Sequence, residues 1–110
     1  MARGSVTVQD VERSGLEPSY EAANGDGDAF ENNGRVVFHA KNGSGGAITL
    51  TFQTPGMVDG LAVADRTVSI PAGEERMCGV FPPSDYNQSD GDVYVDYSGV
   101  TSLTVAALRI

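Results

Sequence analysis

The sequence predicts an all-β fold, an antiparallel β-sandwich or barrel of about seven strands with an extended N-terminal arm. Three observations point there. Apolar and polar residues alternate in short runs from Gly34 to Ile110. Gly, Pro, Asn and Ser cut those runs at intervals of roughly 8 to 12 residues, the spacing of turns in all-β domains. No stretch carries the 3.6-residue apolar stripe of an amphipathic helix.

Residues 1–33 differ from the remainder and are expected to form the arm. Val6 and Val8 alternate with Thr7 and Gln9 in a possible first strand, but Glu12 through Asn33 is polar and poor in large aliphatics. Irregular segments of this length are uncommon inside compact domains and tend to be functional or disordered. Leu16, Tyr20 and Phe30 are the large apolar anchors of that polar stretch, and the apolar residues Val6, Val8, Val11, Leu16 and Tyr20 have few sequence neighbours to pack with, so these five are the candidate contact residues toward another subunit.

The body is expected over residues 34–110. Val36, Phe38 and Ala40 oppose Val37 in a run apolar on both faces, as suits a central strand. Lys41-Asn42-Gly43-Ser44-Gly45-Gly46 reads as a hairpin turn, because Asn-Gly and Gly-Gly supply positive φ angles. Strands 35–40 and 47–53 are therefore expected to pair antiparallel. Ile48, Leu50 and Phe52 alternate with Thr49, Thr51 and Gln53, placing apolar side chains on one face. Met57 to Asp65 reads as a loop crossing between sheets, Thr67 to Ile70 as a strand, and Pro71-Ala72-Gly73 as a turn. Glu75 to Phe81 follows and stops at Pro82-Pro83, which cannot donate to a ladder. Ser84 to Gly91 is a polar loop, Val93, Val95 and Tyr97 mark the next strand, and Leu103 to Ile110 the last.

Charge narrows the partners. Fifteen Asp and Glu against seven Lys and Arg give a net charge of −8, spread along the chain. Such a surface repels a phosphate backbone, so no nucleic acid is expected as a partner. No run of about 20 apolar residues is present, so no membrane span is expected. The start lacks the apolar core of a secretory signal, so synthesis in a cytoplasm is expected.

Enzyme chemistry finds little footing, and the chain is expected not to be an enzyme and to need no cofactor. His39 is the single histidine, set in a strand run without a Ser or Cys motif beside it. No G-x-S-x-G, P-loop or H-E-x-x-H occurs. Cys78 is alone, which excludes an internal disulfide and a multi-cysteine zinc site. Asn24-Gly25-Asp26-Gly27-Asp28 begins like a calcium loop, but the twelfth position from Asn24 is Arg35, not a bidentate carboxylate. No metal site is therefore expected. Tyr94 and Tyr97 stand three apart on a strand and point to opposite faces, which breaks any flat sugar-stacking platform with Tyr86.

Several segments together resemble a family of small β-rich virion proteins of tailed bacteriophages, particularly those of actinobacteria. They are N-G-D-G-D-A-F-E-N-N-G at 24–34, V-F-H-A-K-N-G-S-G at 37–45, D-G-L-A-V-A-D-R-T-V-S-I-P-A-G-E-E-R at 59–76, G-V-F-P-P-S-D-Y-N at 79–87 and T-S-L-T-V-A-A-L-R-I at 101–110. The resemblance covers nearly all of the chain from Leu16 onward. It implies a head decoration or minor capsid protein on the outer shell of the virion, present in the host cytoplasm during assembly. Its implied partners are the major capsid protein and further copies of itself, as a homotrimer. A tail or head-tail connector component is the alternative, and a carbohydrate or host-surface binding module a third.

Overall fold

Strands in this chain mostly bury one side only, so they need a second layer, and two sheets packed face to face supply it. A computed structural model of the chain describes residues 3–55, 57–62 and 64–110, with the side chains of Met57, Val58 and Ala62 left aside. Among the described residues the strands are β1 (Gly4–Ser5), β2 (Val8–Asp10), β3 (Glu21–Ala22), β4 (Asp28–Glu31), β5 (Val36–Asn42), β6 (Ile48–Phe52), β7 (Met57–Val58), β8 (Leu61–Ala62), β9 (Arg66–Ile70), β10 (Glu75–Cys78), β11 (Asp92–Tyr97) and β12 (Leu103–Arg109). One helical turn, α1 (Pro83–Tyr86), starts on a proline whose fixed φ suits the first helical position.

The first sheet runs β1-β4-β11-β6-β9; the second runs β10-β5-β12-β2, with β3 also on β12. The all-β sandwich is thus as expected, but its sheets are mixed: β1 pairs parallel with β4 and β2 parallel with β12. Both parallel pairs come from the N-terminal residues. β5 and β12 lie inside the second sheet and are buried on both faces over much of their length, which explains their near-continuous apolar runs.

The core lies between the sheets. Leu50, Phe52, Ile70, Val93 and Val95 face it from one side, and Val36, Phe38, Ala40, Val105 and Ala107 from the other. All four phenylalanines of the chain meet there. Phe30 stacks on Phe38 at 5.2 Å between ring centroids, and Phe52 lies 4.8 Å from Phe81. Phe38 meets Phe52 edge-on at 5.8 Å, and such offset or edge contacts are the favourable aromatic geometries.

The segment expected as a free arm is instead built into both sheets. Residues 4–31 contribute four strands. Gly4 and Val6 donate their N–H groups to Gly27 and Ala29, and Val11 donates to Arg109. Val6 is 4% exposed and belongs to the core, with Val8 packed against it. The alternation of Val6 and Val8 with polar neighbours was a strand signal; the sequence could not show that the two valines sit on either side of a change of sheet.

Two turns exchange the roles expected of them. β5 and β6 do not pair: they lie in opposite sheets, β5 between β10 and β12, β6 between β9 and β11. Asn42 makes the difference. Its buried side chain donates Nδ2–H to the carbonyls of Gly46 and Ile70 at 2.8 and 3.0 Å, while Oδ1 accepts from Ser44 N–H and Oγ–H. Gly43 N–H bonds Ser102 O at 2.9 Å. These contacts tie the turn to the ends of β9 and β12 and make it a corner. Conversely, Met57–Ala62 does not cross between sheets. It forms a small hairpin, with Val58 opposite Leu61, that joins the neighbouring strands β6 and β9. Asp59 and Gly60 have φ of 54° and 78°, the positive pair that a two-residue type I′ hairpin requires.

Candidate binding edge

β9 and β10 are the end strands of their sheets on the same side of the sandwich. The turn at Pro71–Glu74, closed by Glu74 N–H to Pro71 O at 3.1 Å, carries the chain directly from one to the other. Away from that turn they diverge and leave a groove of about 400 Å³. Register shows what points into it. Arg66, Val68 and Ile70 sit opposite the inward-facing Phe52, Leu50 and Ile48, and Arg76 and Cys78 sit opposite Ala40 and Phe38. Burial falls along β9 from Ile70, which is fully covered, through half-buried Val68 to exposed Arg66.

The floor is apolar, with Phe52 and Phe81 below and Tyr86 set edge-on against Phe81 at 5.2 Å. Gly79 and Val80 form one wall, and Val80 is 49% exposed. Gly79 has φ of 146°, and a Cβ there would come within 2.9 Å of Val36 O, so only glycine lets the chain lie this close to β5. Met77, on the outer face beside the groove, is 61% exposed. No carboxylate is among the described lining residues. Arg76 bonds Glu74 at 3.1 Å, whereas Arg66 has no ion-pair partner among the described residues.

Cys78 faces this groove half-buried. Burial pushes its thiol pKa up, with Arg76 offsetting part of the rise. A nucleophilic cysteine needs the opposite shift, so here the thiol is a small apolar wall group.

His39 occupies the outer face of the second sheet at 6% exposure. Tyr20 O–H reaches Nδ1 at 2.7 Å and Glu75 Oε1 lies 2.9 Å from Nε2. The neutral Nε2–H tautomer satisfies both, accepting from Tyr20 and donating to Glu75. Lys41 Nζ covers the Tyr20 ring at 4.0 Å from its centroid, a cation–π contact. The arrangement fastens the N-terminal segment to β5 and β10.

The Asn24–Asp28 turn is likewise internal. Asp28, 2% exposed, accepts from Tyr97 O–H at 2.7 Å and Asn24 N–H at 3.2 Å. Burial, then the bond to Asp28, pushes the Tyr97 pKa up. Gly27, at φ 89°, leaves room for Arg3, whose guanidinium pairs with Asp96 at 2.8 Å and lies over the Tyr94 ring. Among the described residues no group of three or more His, Cys, Asp or Glu is placed to hold a metal ion, and no helix is long and apolar enough to cross a membrane.

The five residues singled out as contacts have separate fates. Val6 is in the core, Val8 packs on it opposite Ala107, and Tyr20 is engaged by His39 and Lys41. These three have partners within the chain, contrary to the expectation of an unpacked arm. Leu16 is half-buried, and Val11 is 52% exposed. They form no common surface with the groove, whose arginines, Arg66 and Arg76, carry no sequence expectation. The overlooked signal was Arg66 and Arg76 at inward positions of otherwise alternating strands, a pattern of sheet edges. No family model, no curated protein and no solved structure matches this chain.

Proposed function

We propose that this chain is a non-enzymatic decoration protein of a tailed-bacteriophage capsid, a minor capsid component that binds the outer shell and bridges capsid subunits. The observation that carries the reading is the open edge between β9 and β10. There an apolar floor, exposed Val80 and Met77, and an exposed guanidinium without an ion-pair partner among the described residues face solvent, in a sandwich whose buried polar side chains are all satisfied among the described residues. The resemblance to small virion proteins supplies the kind of partner. In this reading the major capsid protein covers that edge, and further copies of the chain, as a trimer, associate through other surfaces.

The stabilisation is one of mass action. A protein that binds the assembled lattice and not free subunits shifts the equilibrium toward the lattice, by about 2.7 kcal/mol per site at a hundredfold excess over Kd. Repetition over equivalent sites raises the effective concentration of each new contact. Bridging by a peeled-off N-terminal arm has no part in this scheme, because removing Val6 and Val8 would open the core.

Imaging virions made with and without this protein tests the proposal. Density on the outer shell, at a copy number on the order of hundreds, is the expected result; about six or twelve copies on one vertex would mark a connector ring. Absence from purified particles overturns the proposal.

A further inference from the structure

The groove between β9 and β10 is selective in its charge. The chain carries −8, yet no described carboxylate lines the groove, which presents the Arg66 guanidinium over a floor of Phe52, Val68 and Phe81; Arg76 is held by Glu74, and Asp65 and Asp85 line the adjoining pocket that shares Arg66. We infer that it takes an extended segment of a partner protein, alternating apolar and acidic residues, that lies beside β10 with a carboxylate on Arg66. The inference rests on the reading of this edge as a binding surface and names what binds.

Backbone geometry fits such an occupant. Asn42 N–H bonds Glu74 O, so the alternation of an antiparallel ladder turns the N–H and C=O groups of Glu75 and Met77 away from β5. An added strand there finds main-chain partners at Met77 and at the Glu75 N–H, while the Glu75 carbonyl already accepts from Arg76 Nη1–H at 2.8 Å, and every second side chain of the added strand points between the sheets. Arg66 decides which strands are accepted. An inward-pointing cation on an edge strand discourages pairing with an apolar strand, whose approach would desolvate the charge unpaired. A segment with a carboxylate at that depth meets it with a charge-assisted, bidentate hydrogen bond instead. Arg66 is exposed and makes no competing ion pair among the described residues, so the bond costs no internal contact.

Cys78 is the one cysteine of the chain and lines the groove, so its alkylation reports occupancy. The probes are two blocked peptides, one alternating Leu and Glu, the other alternating Leu and Lys. With the full chain at mildly alkaline pH, the Leu/Glu peptide should slow N-ethylmaleimide labelling of Cys78 saturably and the Leu/Lys peptide should not. Arg66→Glu should weaken protection by about tenfold or more, the size of a lost charged hydrogen bond. Arg66→Lys should retain part of it. Arg66→Gln replaces the Glu variant if the latter is found unfolded by circular dichroism. Equal protection by both peptides, none by either, or no loss in the Arg66 variants overturns the inference.

Occupancy on undecorated shells separates this inference from the function proposed above. Wild-type binding that Arg66→Glu leaves unchanged sinks the groove and keeps the decoration role. Peptide protection without any shell binding sinks the decoration role and keeps the groove. Self-association abolished by Arg66→Glu gives the site to a second copy and overturns the foreign partner.

Discussion

The two lateral edges of this sandwich are crossed in the same way and differ in what faces inward. At one edge the chain passes from β1 in the first sheet to β2 in the second through Val6 and Thr7. Val6 turns inward and is 4% exposed. At the other edge the chain passes from β9 to β10 through Pro71–Glu74, and the inward positions include Arg66 and Arg76. A valine there completes the core, while an arginine holds its charged end in water and keeps the layers apart. The closed edge is where this protein is held together, and the open edge is where it has surface to offer.

The comparison can be broken most sharply by putting the same charge at both edges. Val6→Asp buries a carboxylate without a partner and should cost about 3 to 4 kcal/mol in urea denaturation. Val68→Asp, half-buried in the groove that Arg66 and Arg76 also line, should cost about 1 kcal/mol or less. Equal losses would mean that the groove is as closed as the N-terminal edge.

Asn42→Ala comes next, because the corner leading away from β5 depends on that amide. The variant leaves the carbonyls of Gly46 and Ile70 without this donor and should lose about 2 to 3 kcal/mol by the same measurement. A loss under about 0.5 kcal/mol would show that backbone contacts alone hold the corner. Tyr97→Phe withdraws a donor from buried Asp28 beside the closed edge, and about 1 to 2 kcal/mol should follow. Unchanged stability would remove this network from the account of why that edge is firm.

The smallest effect is one of pH. Asp10 on β2 is held below the usual carboxylate range by its hydrogen bond to Arg109 at 2.6 Å. A depressed folded value means the contribution is full above the unfolded pKa of 3.8 and is lost as pH falls through the lower folded one. Hydrogen exchange at Val11 N–H, bonded to Arg109 O at the end of this pairing, should lose protection over that acidic window. The pair is exposed, so about 1 M salt should remove most of the difference. Protection independent of pH would assign the β2–β12 pairing to backbone and apolar contacts alone.

Some of these features were legible in the chain and others were not. The run Ile48 to Phe52 gave its strand and its buried face from alternation, as did Val93 and Val95, because side-chain direction has period two in any strand. Asp59-Gly60 is equally local, a two-residue type I′ signal between short runs, but reading Met57 to Asp65 as one crossing loop leaves it out. Asn42-Gly43 carried a similar signal and makes a corner, since its outcome rests on Ile70 and Ser102, far away in sequence. The open edge was marked by Arg66 and Arg76, but an inward arginine is recognisable only once the inward face is known.

By itself, then, the sequence determined that this protein is all-β, where most strands of the body run, and that their apolar faces need a second sheet. Tertiary structure alone decided which strands share a sheet, that residues 4–31 complete both of them, and which edge stays open. The physical reason is that alternation is a property of one strand, whereas pairing and edge closure depend on groups brought together from distant positions, such as Val6 with Ala29 and Asn42 with Ile70.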